Sequence, residues 1–214
     1  YRHLELYYGI SGIGAVCHTI NPRLSPEQML YIIEHAGDRL LFVDTTFVPI
    51  IEKLIPKLPK NLVIIVMASS DDSSTLSDNF LNYEQLILES SHDIIWPELP
   101  EHTAAGLCYT SGTTGNPKGA LYSHRSTVLH ALTTSLNLGP SLGDGMKVLP
   151  VVPLFHVNAW GLPYAAPLTG TSLIFPGPNL DGASLFDLMD QENVNSAWCV
   201  PTVWLGLLEE IRKQ

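Results

Sequence analysis

One stretch carries residue types suited to chemistry: Tyr109-Thr-Ser-Gly-Thr-Thr-Gly-Asn-Pro-Lys-Gly119. Seven of its eleven residues are Gly, Ser or Thr, and a single lysine, Lys118, stands near its end. Glycines at 112 and 115 let the backbone come close to a ligand and turn successive N–H groups inward, which makes an anion-binding nest. Hydroxyls at Thr110, Ser111, Thr113 and Thr114 add donors, and Lys118 adds a positive charge that offsets a polyphosphate. A hydroxyl oxygen there also suits Mg²⁺, a hard ion that prefers oxygen. The spacing differs from the P-loop of nucleotide hydrolases. Counted from Gly112, its second glycine would fall on Pro117, and Lys118 is followed by Gly119 rather than Ser or Thr. A flexible spacer is the competing reading. The apolar runs GLCY and GALY, which flank the stretch closely, favour a phosphate-binding loop between two strands.

Three other patterns mimic known sites. Gly139-Pro-Ser-Leu-Gly143 fits the G-x-S-x-G spacing of a hydrolase nucleophile, but it follows a helical pattern, so Ser141 is not expected to be a nucleophile. Gly12-Ile-Gly14 lacks the third glycine of a dinucleotide fingerprint, because Cys17 stands there, and reads as the exit of a helix. His124 and His130 are six residues apart, on different faces of a helix, which argues against a metal pair.

The elements that must position the loop follow from alternation along the chain. Apolar β-like runs at Ala15–Thr19, Leu40–Asp44, Leu62–Met67, Gly106–Tyr109, Gly119–Tyr122, Lys147–Val151, Ser172–Phe175 and Ser196–Val200 alternate with helical patterns. This predicts an α/β fold of mostly parallel sheets with crossover helices. Ser25, Pro26, Gln28 and Gly37 bracket one helix as capping box, first-turn proline and terminator. Further helices are predicted at the N-terminal end, over Ser123–Leu138, over Gly182–Asn193 and from Pro201 onward. The acidic, serine-rich stretch 69–79 reads as an exposed loop. WPELPEHTA near residue 100 marks a candidate boundary between portions 1–100 and 101–214, the second carrying the loop.

Composition narrows the function classes. The 214 residues give a prior of about 1.4 domains, enough for one sizeable core. Acidic residues outnumber basic ones by 21 to 11, for a net charge of −10. No basic run exceeds Arg212-Lys213, so nothing in the chain marks a nucleic-acid surface. The longest apolar stretch, Leu62–Ala68, is far short of the roughly 20 residues that cross a bilayer. Hydrophobic residues make up 45% and mean hydropathy is +0.16, which excludes disorder. Cys17, Cys108 and Cys199 are odd in number and widely spaced, arguing against disulfides and zinc and for a reducing cytoplasm.

With these residues in view, YTSGTTGNPKG closely resembles the signature loop of the acyl-adenylate-forming superfamily. The segments HTINPRLSPEQMLYIIEHAGDRLLFVD, YSHRSTVLHAL, VVPLFHVNAWGLPYAAPLTG and VPTVW are similar to its fatty-acyl-CoA ligase branch. The resemblance implies an ATP-dependent ligase that first makes an acyl-adenylate and pyrophosphate, then acyl-CoA and AMP. ATP, Mg²⁺ and CoA would be its co-substrates and cofactor, a fatty acid its substrate, and a homodimer a possible state of the full-length protein. It further implies that Thr110, Ser111, Gly112, Thr113, Thr114, Gly115 and Lys118 embrace the β- and γ-phosphates, with Thr110 at the Mg²⁺ position. Lys118 and His156 would act on the reacting groups. His156, Val157, Trp160, Pro201 and Thr202 would line the acyl pocket, Trp160 as an indole gating the tunnel. His156 and Trp160 are spaced i, i+4, so a regular helix would present both on one face. Ordinary core packing is the alternative for both, as it is for VPTVW. The family's YGxTE-type segment, ribose-binding Asp and lysine of a C-terminal lid have no match in these residues, which therefore read as part of an N-terminal domain, inactive by itself. Other readings are an adenylating enzyme for a different carboxylic acid and a nucleotide-binding module without ligase activity.

Overall fold

A computed structural model of the chain describes residues 1–69, 77–110 and 115–213. The chain divides into two units. One comprises Tyr1–Glu98 and Tyr109–Ala120, the other Leu99–Cys108 and Leu121–Gln214.

In the first unit, α1 (Arg2–Gly12) precedes β1 (Cys17–Thr19). Helix α2 (Pro26–Ala36) starts and stops where its sequence dictates. The Ser25 hydroxyl accepts from the Gln28 N–H, the Gln28 side chain returns the bond to the Ser25 N–H, and Gly37 closes the helix at φ +71°. Then follow β2 (Leu40–Val43), α3 (Val48–Leu54), β3 (Val63–Val66), β4 (Leu81–Asn82) and α4 (Tyr83–Glu89). Strands β2, β3 and β4 form a parallel sheet in that order, with Leu41 opposite Ile64 and Val43 opposite Val66. Apolar side chains of α2 and α3 cover it. Met29, Ile33, Ile51 and Leu54 pack with Leu41, Val43, Ile64 and Val66 into one core. The loop-side ends of β5 (Ala104–Thr110) and β6 (Lys118–Ser123) also belong here, and the sheet containing them has the order β1-β5-β6.

The second unit continues with α5 (His124–Asn137), capped by Ser123, then β7 (Lys147–Pro150), α6 (Val157–Trp160) and α7 (Leu162–Thr169). β8 (Ser172–Leu173), α8 (Gly182–Gln191), β9 (Ser196–Trp198) and α9 (Pro201–Ile211) complete it. Its sheet has the order β8-β7-β9, all parallel. One face of β7 buries Val148 with Leu162, Ala165 and Trp198; the other buries Leu149 with Leu185 of α8 and Leu207 of α9.

The α/β architecture with parallel sheets is as the alternation predicts. Helices α3 and α4 and the two-residue strand β4 were not expected. VPIIEKL is a short apolar run whose length and composition do not separate strand from helix. Residues 70–76 of the acidic stretch lie outside the described residues.

The α8–α9 packing gives a direct stability test. A Cβ at Gly182 would sit 2.3 Å from the Gly206 carbonyl oxygen and 2.7 Å from its carbon, both backbone atoms. Gly182→Ala should therefore push the helices apart and destabilise the protein by about 1–3 kcal/mol, read as a lowered urea midpoint. An unchanged midpoint would show that the helices separate at no cost.

Candidate functional site

The expected site residues fall into one group in each unit. In the first, Tyr109 and Thr110 end β5 and Lys118 opens β6. The Thr110 hydroxyl donates to the Lys118 carbonyl at 3.4 Å, which ties the two strand ends together. Ser111, Gly112, Thr113 and Thr114 lie outside the described residues. Gly115 takes φ +93°, a conformation open to glycine at little cost, and a Cβ there would meet nothing within 4 Å among the described residues. Thr110, Gly115 and Lys118 are all exposed. Lys118 takes part in no ion pair among the described residues. An exposed cation with no ion-pair partner among the described residues is available to an anion.

The second group surrounds α6. The expectation of a regular helix carrying His156 and Trp160 on one face is corrected here. His156 is extended, at φ −116° and ψ 114°, and lies outside the turn. Val157, Asn158, Ala159 and Trp160 have φ of 50°, 48°, 47° and 55°, so α6 is a single left-handed turn. The Ala159 N–H donates to the His156 carbonyl at 3.1 Å and the Gly161 N–H to the Asn158 carbonyl at 2.9 Å. Left-handed backbone costs L-residues roughly 1–2 kcal/mol each, so surrounding contacts must hold it. Ala159 is fully buried in the β7 core. Asn158 is buried, and its Oδ1 accepts from the Cys108 thiol at 3.0 Å. Gly161 continues at φ +78° and is the position where the turn meets α5, since a Cβ there would come within 2.6 Å of His130 Nδ1.

The turn buries its middle and shows its ends. His156 and Val157 are exposed, and Trp160 is 47% exposed. The Trp160 ring lies 6.1 Å from that of Trp198, the buried last residue of β9. Beyond Trp198, past Cys199 and Val200, Pro201 and Thr202 open α9, both exposed. Burial pushes the Cys199 thiol up to about 11, so it stays protonated near neutrality and is no nucleophile.

Two contributors escaped the sequence reading. Cys108 and Asn158 are fifty positions apart and meet only through the fold; a buried thiol on an apolar strand gives no local signal. Ser141 ends a one-turn helix (Gly139–Ser141), away from any strand-to-helix turn. Among the described residues no three His, Cys, Asp or Glu side chains gather as a metal site. A depression of about 340 Å³ beside α2, lined by Leu30, Glu34, Asp38 and Lys57 among others, contains none of the expected site residues.

Comparison with known proteins sets these two groups in context. The chain is 52% identical over 208 residues to a medium-chain-fatty-acid–CoA ligase of Ectopseudomonas oleovorans, covering 97% of this chain and 38% of the relative. It is 46% identical over 209 residues to a long-chain-fatty-acid–CoA ligase of Thermus thermophilus, covering 98% of this chain and 37% of the relative. The chain thus spans well under half the length of these curated relatives. The crystal structure of an anthranilate CoA ligase in complex with anthranoyl-AMP superposes with a TM-score of 0.77 at 24% identity, covering 92% of this chain and 38% of that one. That likeness shows the fold. The family model described as AMP-binding enzyme matches residues 1–214, and the chain belongs to that family.

Proposed function

We propose that this chain supplies the phosphate-binding and acyl-binding portions of an ATP-dependent fatty-acid–CoA ligase. The observation that carries this reading is the exposed Lys118, which joins no ion pair among the described residues and whose carbonyl accepts from the Thr110 hydroxyl, in a chain similar to two such ligases along nearly its whole length. A carboxylate oxygen of the acid attacks the α-phosphorus of ATP. The bond from that phosphorus to the β-bridging oxygen breaks, and pyrophosphate leaves with the electron pair. Lys118, the Thr110 hydroxyl and the loop N–H groups of 111–115 hold the negative charge that collects on the leaving group. The CoA thiolate then attacks the acyl carbonyl carbon, and AMP departs. No protein nucleophile is needed. Positioning and charge stabilisation supply the acceleration.

Mg²⁺ bound with the nucleotide would neutralise phosphate charge. The exposed Thr110 oxygen at the end of β5 fits one of its ligand positions, and a single protein oxygen suffices for an ion held mainly by phosphates and water. At the other group, exposed Val157 and Trp160, the latter against Trp198, offer apolar surface to an acyl chain, with His156 beside the carboxylate and Pro201 and Thr202 further along the pocket. The similar identities to a medium-chain and a long-chain ligase place no weight on one chain length. Three free cysteines suit a reducing cytoplasm, and no helix among the described residues is long and apolar enough to cross a membrane.

The test is product formation. The full-length protein with ATP, Mg²⁺, CoA and straight-chain acids of eight to eighteen carbons should yield acyl-CoA by mass spectrometry. Formation of acyl-AMP that is never passed to CoA, or no product from any acid, would overturn the ligase reading.

A further inference from the structure

Beside the end of β5, the first unit holds four side chains that the chemistry above does not use. His18 stands in β1, His35 in the last turn of α2, Asp38 just beyond that helix's Gly37 cap, and Tyr109 next to Thr110. His18 Nδ1 lies 3.0 and 2.8 Å from the two Asp38 carboxylate oxygens, with both side chains nearly buried, 6% and 12% exposed. The His18 ring packs on Tyr109 at 5.1 Å between centroids. His35 meets the same phenol ring edge-on at 5.9 Å, and its Nδ1 shares a hydrogen bond with the Tyr109 hydroxyl at 2.6 Å. Tyr31 in turn stacks on His35 at 5.3 Å.

This group is not the cheapest way to fill the space. The Asp38 carboxylate accepts the Nδ1 proton of His18, and the opposite nitrogen, Nε2, is buried without a partner among the described residues. Leaving a buried polar atom bare is costly, and apolar side chains would pack the site without that cost. What the polar group adds is direction. A strand that runs into a stretch of Gly, Ser and Thr has little of its own to fix its last peptide. An aromatic ring clamped by two imidazoles and bonded at its tip fixes the Tyr109 side chain, and with it the backbone that leads to Thr110.

We propose that Tyr109, held by His18, Asp38 and His35, is a positioning residue: it sets the angle at which the end of β5 presents Thr110 to the polyphosphate of a nucleoside triphosphate. The inference rests on the ligase reading. It requires that the clamp affect nucleotide binding and leave acid binding alone.

The test uses acid-dependent ATP–pyrophosphate exchange by the full-length protein. Tyr109→Phe keeps the ring and removes the hydroxyl; His35→Ala removes its partner from the exposed side. Each should raise KM for ATP by roughly 3- to 10-fold, the size of one lost hydrogen bond, with KM for the acid unchanged and a near-native melting temperature. The double variant should be no worse than either single one, because both remove the same bond. His35→Gln, which restores a hydrogen-bonding group, should recover most of the loss. Unchanged KM for ATP, equal rises in both KM values, or losses that simply track melting temperature would overturn the positioning role while leaving the ligase reading standing. A parent protein without exchange activity would overturn that reading, and this inference with it.

Discussion

In the full-length protein, Lys118→Ala should slow the proposed acid-dependent pyrophosphate exchange by roughly 10- to 150-fold, the loss of one charge-assisted contact worth about 1.5–3 kcal/mol. The fold should survive, because the Lys118 side chain is exposed and joins no ion pair among the described residues. Its ammonium contributes nothing to the resting protein that a melting curve would detect. On the proposed ligase reading the missing charge is one that holds phosphate, so the loss should appear chiefly in ATP-dependent steps. Lys118→Arg should recover part of the rate by restoring the charge with a different geometry. An unchanged exchange rate in Lys118→Ala would remove the lysine from the phosphates.

Trp160→Ala should change which acids are used far more than it changes ATP binding. The ratio of kcat/KM values between eight- and eighteen-carbon acids should shift by about tenfold or more, equivalent to about 1.4 kcal/mol of differential binding. Truncating a fully buried large aromatic costs about 3–5 kcal/mol of stability. Trp160 is 47% exposed, with its ring 6.1 Å from that of Trp198, so its removal should cost well under that. Melting temperature and the acid profile therefore separate the two roles on one variant. A large fall in melting temperature with an unchanged profile would leave Trp160 as a packing residue.

Much of this was legible because local rules agree with the fold. The capping box at Ser25 and Gln28, the terminator at Gly37 and the apolar runs of β2, β3 and β7 sit where their chemistry requires. The loop ending in Lys118 is marked by a residue pattern that few other structures need. The left-handed α6 had no such mark. Val, Asn, Ala and Trp in succession give no warning of four positive φ values, and β-branched or bulky residues disfavour that region. What decides it is tertiary: Ala159 fills the core under β7, Asn158 is held by Cys108, and Gly161 alone among its neighbours is built for the conformation. The clamp on Tyr109 was equally hidden, because its members are separated by up to 91 positions, from His18 to Tyr109.

The central claim is that Thr110, Lys118 and the loop between them receive the pyrophosphate expelled when a fatty acid captures the AMP portion of ATP. Isotope exchange between pyrophosphate and ATP in the absence of CoA isolates that step. The full-length protein should incorporate labelled pyrophosphate into ATP only when a fatty acid and Mg²⁺ are both present, and Lys118→Ala should depress the incorporation. Incorporation that ignores the acid, or none with any acid tried, would contradict the account.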